Sequence, residues 1–145
     1  MIKGYVESIN VSVKKGTKKT EVPNAEFRVN HGIVGDAHAG DWHRQVSLLG
    51  IESVKKMEDK GVEGLCNGSF AENLTTKGID LYTLEVGTVL RIGETIQELT
   101  QIGKKCHTGC EISHQVGACI MPKEGIFTKV LKDGVVKKGD LIEVL

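Results

Sequence analysis

The sequence predicts a mainly β fold: a closed barrel of short strands with a few helical excursions. Three observations carry that expectation. Glycine is frequent and proline rare, 18 against 2 in 145 residues, and the glycines fall at turn-like intervals, as in chains of many short strands that close on themselves. Apolar and polar residues alternate with a period of two near both chain ends. Ahead of a cysteine-rich segment, only residues 46–60 have helical periodicity. A chain of this length fits a single domain, 1–145, with a real core.

Charge narrows the partners. Lys and Arg (19) balance Asp and Glu (19), so no net field draws the protein to nucleic acid or to a membrane surface. The start, MIKGYVESI, reads as a strand with no apolar leader, and no run approaches the ~20 apolar residues of a spanning helix. The expectation is a cytoplasmic protein whose four cysteines stay reduced, as thiols, metal ligands or reactive groups.

In chain order, residues 2–13 alternate as a strand, and KKGTKK (14–19) is expected to be a solvated, charged hairpin tip around Gly16. Residues 21–29 supply one or two return strands, with Pro23 marking an edge or a break. In residues 30–50, NHGIVGDAHAGDWHRQVSLLG, glycines punctuate a run of His31, Asp36, His38, Asp41, His43 and Arg44. Glycine lets the backbone approach a ligand closely, which makes this a candidate binding loop. Arg44 offers a planar fork for an anion, while Asp36 and the histidines offer hydrogen bonds to a polar heterocycle. The competing reading is a solvated loop with one capping Asp. Zinc held by His38, His43 and Asp36 is a further option, at a spacing that matches no helical ligand pair.

Residues 46–60 read as an amphipathic helix that buries Leu48, Leu49, Ile51, Val54 and Met57 and ends near Gly61. Residues 61–68 form a loop with Cys66 as a buried or incidental thiol. In the polar segment 69–81, Glu72, Asn73 and Thr75 either orient a ligand or cap turns. EVGTVLRIG and ETIQELTQIG then form a strand pair, with Gly87 and Gly93 at the reversals. After Pro122, Asp133 and Gly134 signal a hairpin between two strands, and residues 141–145 form the strand expected to close the barrel.

Three of the four cysteines and two of the five histidines lie in residues 101–122, QIGKKCHTGCEISHQVGACIMP. If residues 105–116 are helical, Cys106, His107, Cys110, Glu111 and His114 share an arc of roughly 140°, with Ile112 and Val116 on the other side. Gly109 weakens that helix by ~1 kcal/mol relative to Ala. Lys104, Lys105 and His107 flank Cys106, and nearby cations lower a thiol's pKa, so Cys106 is the best thiolate candidate. Zinc held by Cys106, Cys110, a histidine and Cys119 competes with this reading, as does a strained redox pair of Cys106 with Cys110.

GIVGDAHAGDWHRQVSLL (32–49), SFAENLTTKGIDL (69–81), VGTVLRIG (86–93) and TQIGKKC (100–106) resemble, in that order, the successive motifs of the MOSC domain, named for the C-terminal domain of molybdenum cofactor sulfurases. The resemblance extends over nearly the whole chain and looks like the stand-alone bacterial branch. It implies a closed β-barrel. The family's hallmark cysteine maps onto Cys106, which in relatives carries sulfur as a persulfide or ligates molybdenum. The GDAHAG segment, Arg44 and Asn73 match positions lining the same pocket in such proteins.

The resemblance thus implies a molybdopterin-type ligand. Asp36, His38, Arg44 and Asn73 would bind it, Lys104 and His107 would keep the thiol ionised, and Cys106 with Cys110 are the possible metal ligands. Full-length sulfurases abstract sulfur with a pyridoxal phosphate lysine on a separate large domain, for which 145 residues have no room. The expected partner is therefore a cysteine desulfurase or a molybdenum cofactor biosynthesis protein. Two alternatives stand beside sulfur transfer: a non-catalytic module for the cofactor or an oxyanion, and a zinc-stabilised structural domain.

Overall fold

The computed structural model describes residues 2–14, 19–59, 72–103 and 124–145, apart from the side chains of 57 and 58. Its strands are β1 (Lys3–Val11), β2 (Thr20–Val22), β3 (Asn24–Arg28), β4 (Gly32–Ile33), β5 (Val46–Gly50), β6 (Leu74–Lys77), β7 (Val89–Ile92), β8 (Thr95–Ile102), β9 (Ile126–Lys132), β10 (Gly134–Lys137) and β11 (Leu141–Val144). Helix α1 (Ile51–Asp59) and a 3₁₀ turn at Leu81–Thr83 are helical.

Seven strands close a barrel in the order β1, β6, β5, β9, β8, β7, β11 and back to β1. Closure is made by the last strand against the first, with Lys3 opposite Glu143 and Tyr5 opposite Leu141. All ring pairings are antiparallel except β5 with β6, which are parallel and joined through α1. A parallel pair needs such a crossover, because a tight turn can return the chain only antiparallel. One hydrophobic cluster fills the barrel with Ile9, Leu48, Leu74, Leu99, Ile126 and Ile142, and takes in Phe27, Ile33 and Val136 of a smaller sheet, β10-β3-β4.

Several expectations are met: the strand break at Pro23, the hairpin of β7 with β8 around Gly93 (φ +55°), and barrel closure by the final strand. Others need correction. The helix expected over 46–60 begins only at Ile51, because Val46–Gly50 is a fully buried central strand. A short, continuous apolar run has no periodicity that separates strand from helix. The polar segment 69–81 contains strand β6, whose Thr75 and Thr76 are buried.

Asp133 and Gly134 make no hairpin. Among the described residues β9 pairs with β5 and β8, and β10 pairs with β3, so the chain passes here from the barrel to the smaller sheet. The Asp133 carboxylate accepts a hydrogen bond from the Val29 amide at 2.7 Å, and Gly134 lies against Glu94. A Cβ on Gly134 would sit 2.8–2.9 Å from Glu94 side-chain and backbone atoms, so glycine serves close packing there rather than a turn. Gly134→Ala is expected to destabilise the protein by about 1–3 kcal/mol through overpacking. A urea titration that leaves the unfolding midpoint unchanged would contradict this contact.

Candidate functional site

Strand register builds the outer wall of the site. Ser47 on β5 faces Phe127 on β9, and Phe127 faces Gln101 on β8, so the three form a row across the sheet. Their neighbours Leu48 and Ile126 belong to the core, so the alternation of strand side chains turns this row to the outside of the barrel. The row continues through Asn73, whose amide oxygen accepts hydrogen bonds from the Ser47 N–H (3.0 Å) and hydroxyl (3.1 Å). The Asn73 amide nitrogen donates to the Asn10 carbonyl at 3.2 Å, which ties β5 to β1. Asn73 is buried, with its amide engaged on both sides, so the structure places it within the frame beneath the wall's surface.

The glycine-punctuated loop between β4 and β5 lies over this wall. Gly32, at φ +107°, lets the backbone pass the Gln45 carbonyl where a Cβ would stand 2.8 Å from that oxygen. The Arg44 guanidinium carbon sits 4.5 Å from the Trp42 ring centroid and 5.7 Å from that of Phe127, a doubly stacked cation–π arrangement. Its Nε is buried and has no hydrogen-bond partner among the described residues. A buried, unmet N–H on a cation costs more than a neutral one, and an anionic or carbonyl oxygen would satisfy it. The chemistry of Arg44 therefore fits the anionic part of a molybdopterin-type ligand.

His43 next to it is held by Gln101, with Nε2 2.9 Å from Gln101 Oε1, while the Gln101 amide nitrogen donates to Gly103 at 2.8 Å. The Thr100 hydroxyl bonds the His43 carbonyl. The Gly103 amide donates to the Gly125 carbonyl at 2.6 Å, closing the two ends of the connection that carries Cys106. The Arg44 loop and the strand ends at Gly103 and Gly125 thus share one end of the barrel.

At the other side of the loop, Asp36 is fully buried. One carboxylate oxygen accepts hydrogen bonds from the Ser12 amide (3.0 Å) and the Lys19 ammonium (2.9 Å), the other from the His38 amide (3.1 Å). Burial acts to raise its pKa, but the Lys19 hydrogen bond, the Ser12 amide, the Lys19 charge and the His38 amide together outweigh burial and hold it below the ordinary carboxylate value. The solvated lysine tip expected at 14–19 is corrected for Lys19, whose side chain is only 1% exposed. No local pattern separates Lys19 from the other lysines of KKGTKK; its partner Asp36 is distant in sequence.

The zinc option built on Asp36, His38 and His43 is also corrected. Asp36 is committed to Lys19 and His43 to Gln101, and no group of three metal-ligating side chains converges among the described residues. Cys106, Cys110, Lys104 and His107, like Cys66 and Cys119, lie outside the described residues. Trp42, Phe127 and Gln101 were missed in the sequence. Trp42 stands two residues before Arg44 and was open to notice, whereas Phe127 and Gln101 join the site only through strand register.

Lys19→Met leaves a buried carboxylate without its counter-charge and is expected to cost about 3–5 kcal/mol, read from denaturant unfolding. Because the native pKa of Asp36 is depressed, its contribution is complete above the unfolded carboxylate pKa and is lost as pH falls through the lower, native value. The stability gap between wild type and Asp36→Asn should therefore narrow on acidification below about pH 4. A gap independent of pH down to acid unfolding would contradict the paired, charged Asp36.

A family model described as the MOSC domain matches residues 35–143. No curated protein matches the chain in sequence. Among solved structures, YuaD from Bacillus subtilis superposes with a TM-score of 0.81 at 20% identity, covering 99% of this chain and 96% of that one. YiiM from Geobacillus stearothermophilus gives 0.71 at 20% identity, covering 98% and 75%. YiiM from Escherichia coli gives 0.68 at 18% identity, covering 98% and 69%. At such identities the structures show a shared fold, whereas the family match spans most of the sequence from the glycine-rich loop to the closing strand. The chain belongs to the MOSC domain family.

Proposed function

We propose that this protein binds a molybdopterin-type ligand at the Arg44 wall and accepts sulfur on Cys106 for delivery to it. The observation that carries the reading is the Arg44 guanidinium, stacked between Trp42 and Phe127 with a buried N–H unmet among the described residues. It sits at the barrel end where β8 leaves toward the cysteine segment. Cys106 follows Gly103 by three residues, a tether of at most about 11 Å.

Arg44 would hold the anionic part of the ligand, and His38, on the same loop as Asp36, would hydrogen-bond a polar edge. Asn73 would act at one remove, by fixing Ser47 and β1 beneath the wall. The bound group would supply an anion for Arg44 and an acceptor for sulfur. Lys104 and His107 flank Cys106 in sequence and would favour its thiolate. In sulfur acceptance that thiolate attacks the outer sulfur of a donor persulfide, the donor's sulfur–sulfur bond breaks, and the donor cysteine leaves as a thiolate. The donor would be a separate cysteine desulfurase. A non-catalytic cofactor-binding module is the second reading, since the Arg44 arrangement supports binding without requiring transfer.

Intact mass after incubation with a cysteine desulfurase and cysteine, without reductant, is expected to rise by one sulfur atom in wild type and not in Cys106→Ser. Equal masses in both would leave the binding module. Arg44→Ala should weaken binding of purified molybdopterin at least about tenfold, the scale of a charge-assisted contact, and Arg44→Lys should recover only part, because lysine lacks the stacking fork. Unchanged affinity in both variants would remove the Arg44 wall as the binding site.

A further inference from the structure

We infer that Lys19 is a positioning residue that locks His38 in a single neutral tautomer, with the proton on Nε2, so that His38 meets its ligand as a hydrogen-bond donor. The inference deepens the ligand-binding reading of His38 and rests on it for its functional meaning.

The argument is a count of donors and acceptors. A lysine ammonium has three N–H donors and no acceptor capacity. The Lys19 ammonium has three acceptors within reach: Asp36 Oδ1 at 2.9 Å, His38 Nδ1 at 3.2 Å and Ser12 Oγ at 3.3 Å. It is buried, so water does not take over any of these bonds, and leaving one unmade would strand a charged donor. His38 Nδ1 must therefore offer its lone pair. A proton on Nδ1 would point at a cation that cannot accept it. The alternative acceptor for such a proton, Asp36 Oδ2, is 4.0 Å away, beyond hydrogen-bond range. That oxygen already holds the His38 backbone amide, so one carboxylate fixes the histidine's main chain while its lysine partner fixes the ring.

With Nδ1 occupied, the neutral ring carries its hydrogen on Nε2, the edge opposite the lysine, in a side chain that is 38% exposed. Two consequences follow for the ligand class. The atom recognised by His38 is an acceptor, such as a phosphate, oxo or pterin carbonyl oxygen. His38 is also not set up as a metal ligand, since one nitrogen is held by an ammonium and the other is protonated. The Arg44 Nε–H, unmet among the described residues, is a second donor on this loop.

The test is a long-range ¹H–¹⁵N correlation spectrum of the histidine rings at neutral pH on ligand-free protein, with the His38 signals assigned by their loss in His38→Gln. The expected pattern is protonated Nε2 and unprotonated Nδ1. A ring protonated on Nδ1, or on both nitrogens, overturns the inference. In Lys19→Met/Asp36→Asn, which removes both buried charges together, the ring should lose its single tautomer and show a mixture, whereas an unchanged Nε2–H pattern overturns the role of Lys19. Because that variant can fail to fold, the wild-type lysine ammonium is read as well. A slowly exchanging Lys19 Nζ signal coupled to His38 Nδ1 supports the lock, and an ammonium in fast exchange with water overturns it. None of these readouts uses a ligand, so their failure is distinguishable from failure of the Arg44 binding test.

Discussion

The structure depends on how the two edges of β1 are shared. A strand can pair on each side, and every buried backbone group must be paired. Along one edge β1 takes β6 from Tyr5 to Ile9, with a register shift between Val6 and Ser8. Along the other it takes β11 at Lys3–Tyr5 and then β2 at Ile9–Val11. The first pairing closes the barrel and the second carries the chain toward Lys19. The shift also lets Val6 and Ile9 both serve the core, while Ser8 faces Thr75 on the opposite side of the wall.

That far end of β1 organises the loop above it. Ser12 donates its amide to the Asp36 carboxylate and its carbonyl accepts from the Ala37 amide at 2.7 Å, so one side-chain and one main-chain bond tie the loop to the strand end. A buried ion pair is a costly way to hold a loop, because both ions lose their hydration, and its return here lies in geometry. Asp36 and Lys19 between them use nearly every bond they can make, and each bond fixes something: a strand end, a backbone turn or an imidazole ring.

The other half of the site follows from β8 and β9. Gly103 and Gly125 pair where these strands meet the cysteine-bearing connection, and Gln101, two residues before Gly103, reaches His43 on the loop. The stacked Arg44 is held from below by Phe127 of β9. A hydrogen-bonded strand wall therefore faces a loop whose side chains are positioned from two separate strands, a useful arrangement for recognition because loops carry function on the scaffold that positions them.

Much of this was legible in the chain. The alternation of residues 2–13, the break at Pro23, the hairpin at Gly93 and the apolar closing strand are local patterns, and local patterns specify strands and turns. The loop with His38 and Arg44 and the cysteine segment stood out by residue chemistry alone, and the ordered motifs gave the family. The remainder was decided in three dimensions. Whether Val46–Gly50 is strand or helix depends on neighbours that bury both of its faces. Asp133 and Gly134 look like a turn until Val29 and Glu94 are placed beside them. Lys19 reads as one of four solvated lysines until the fold brings Asp36 to it, because burial and pairing are properties of contacts that a linear pattern does not contain.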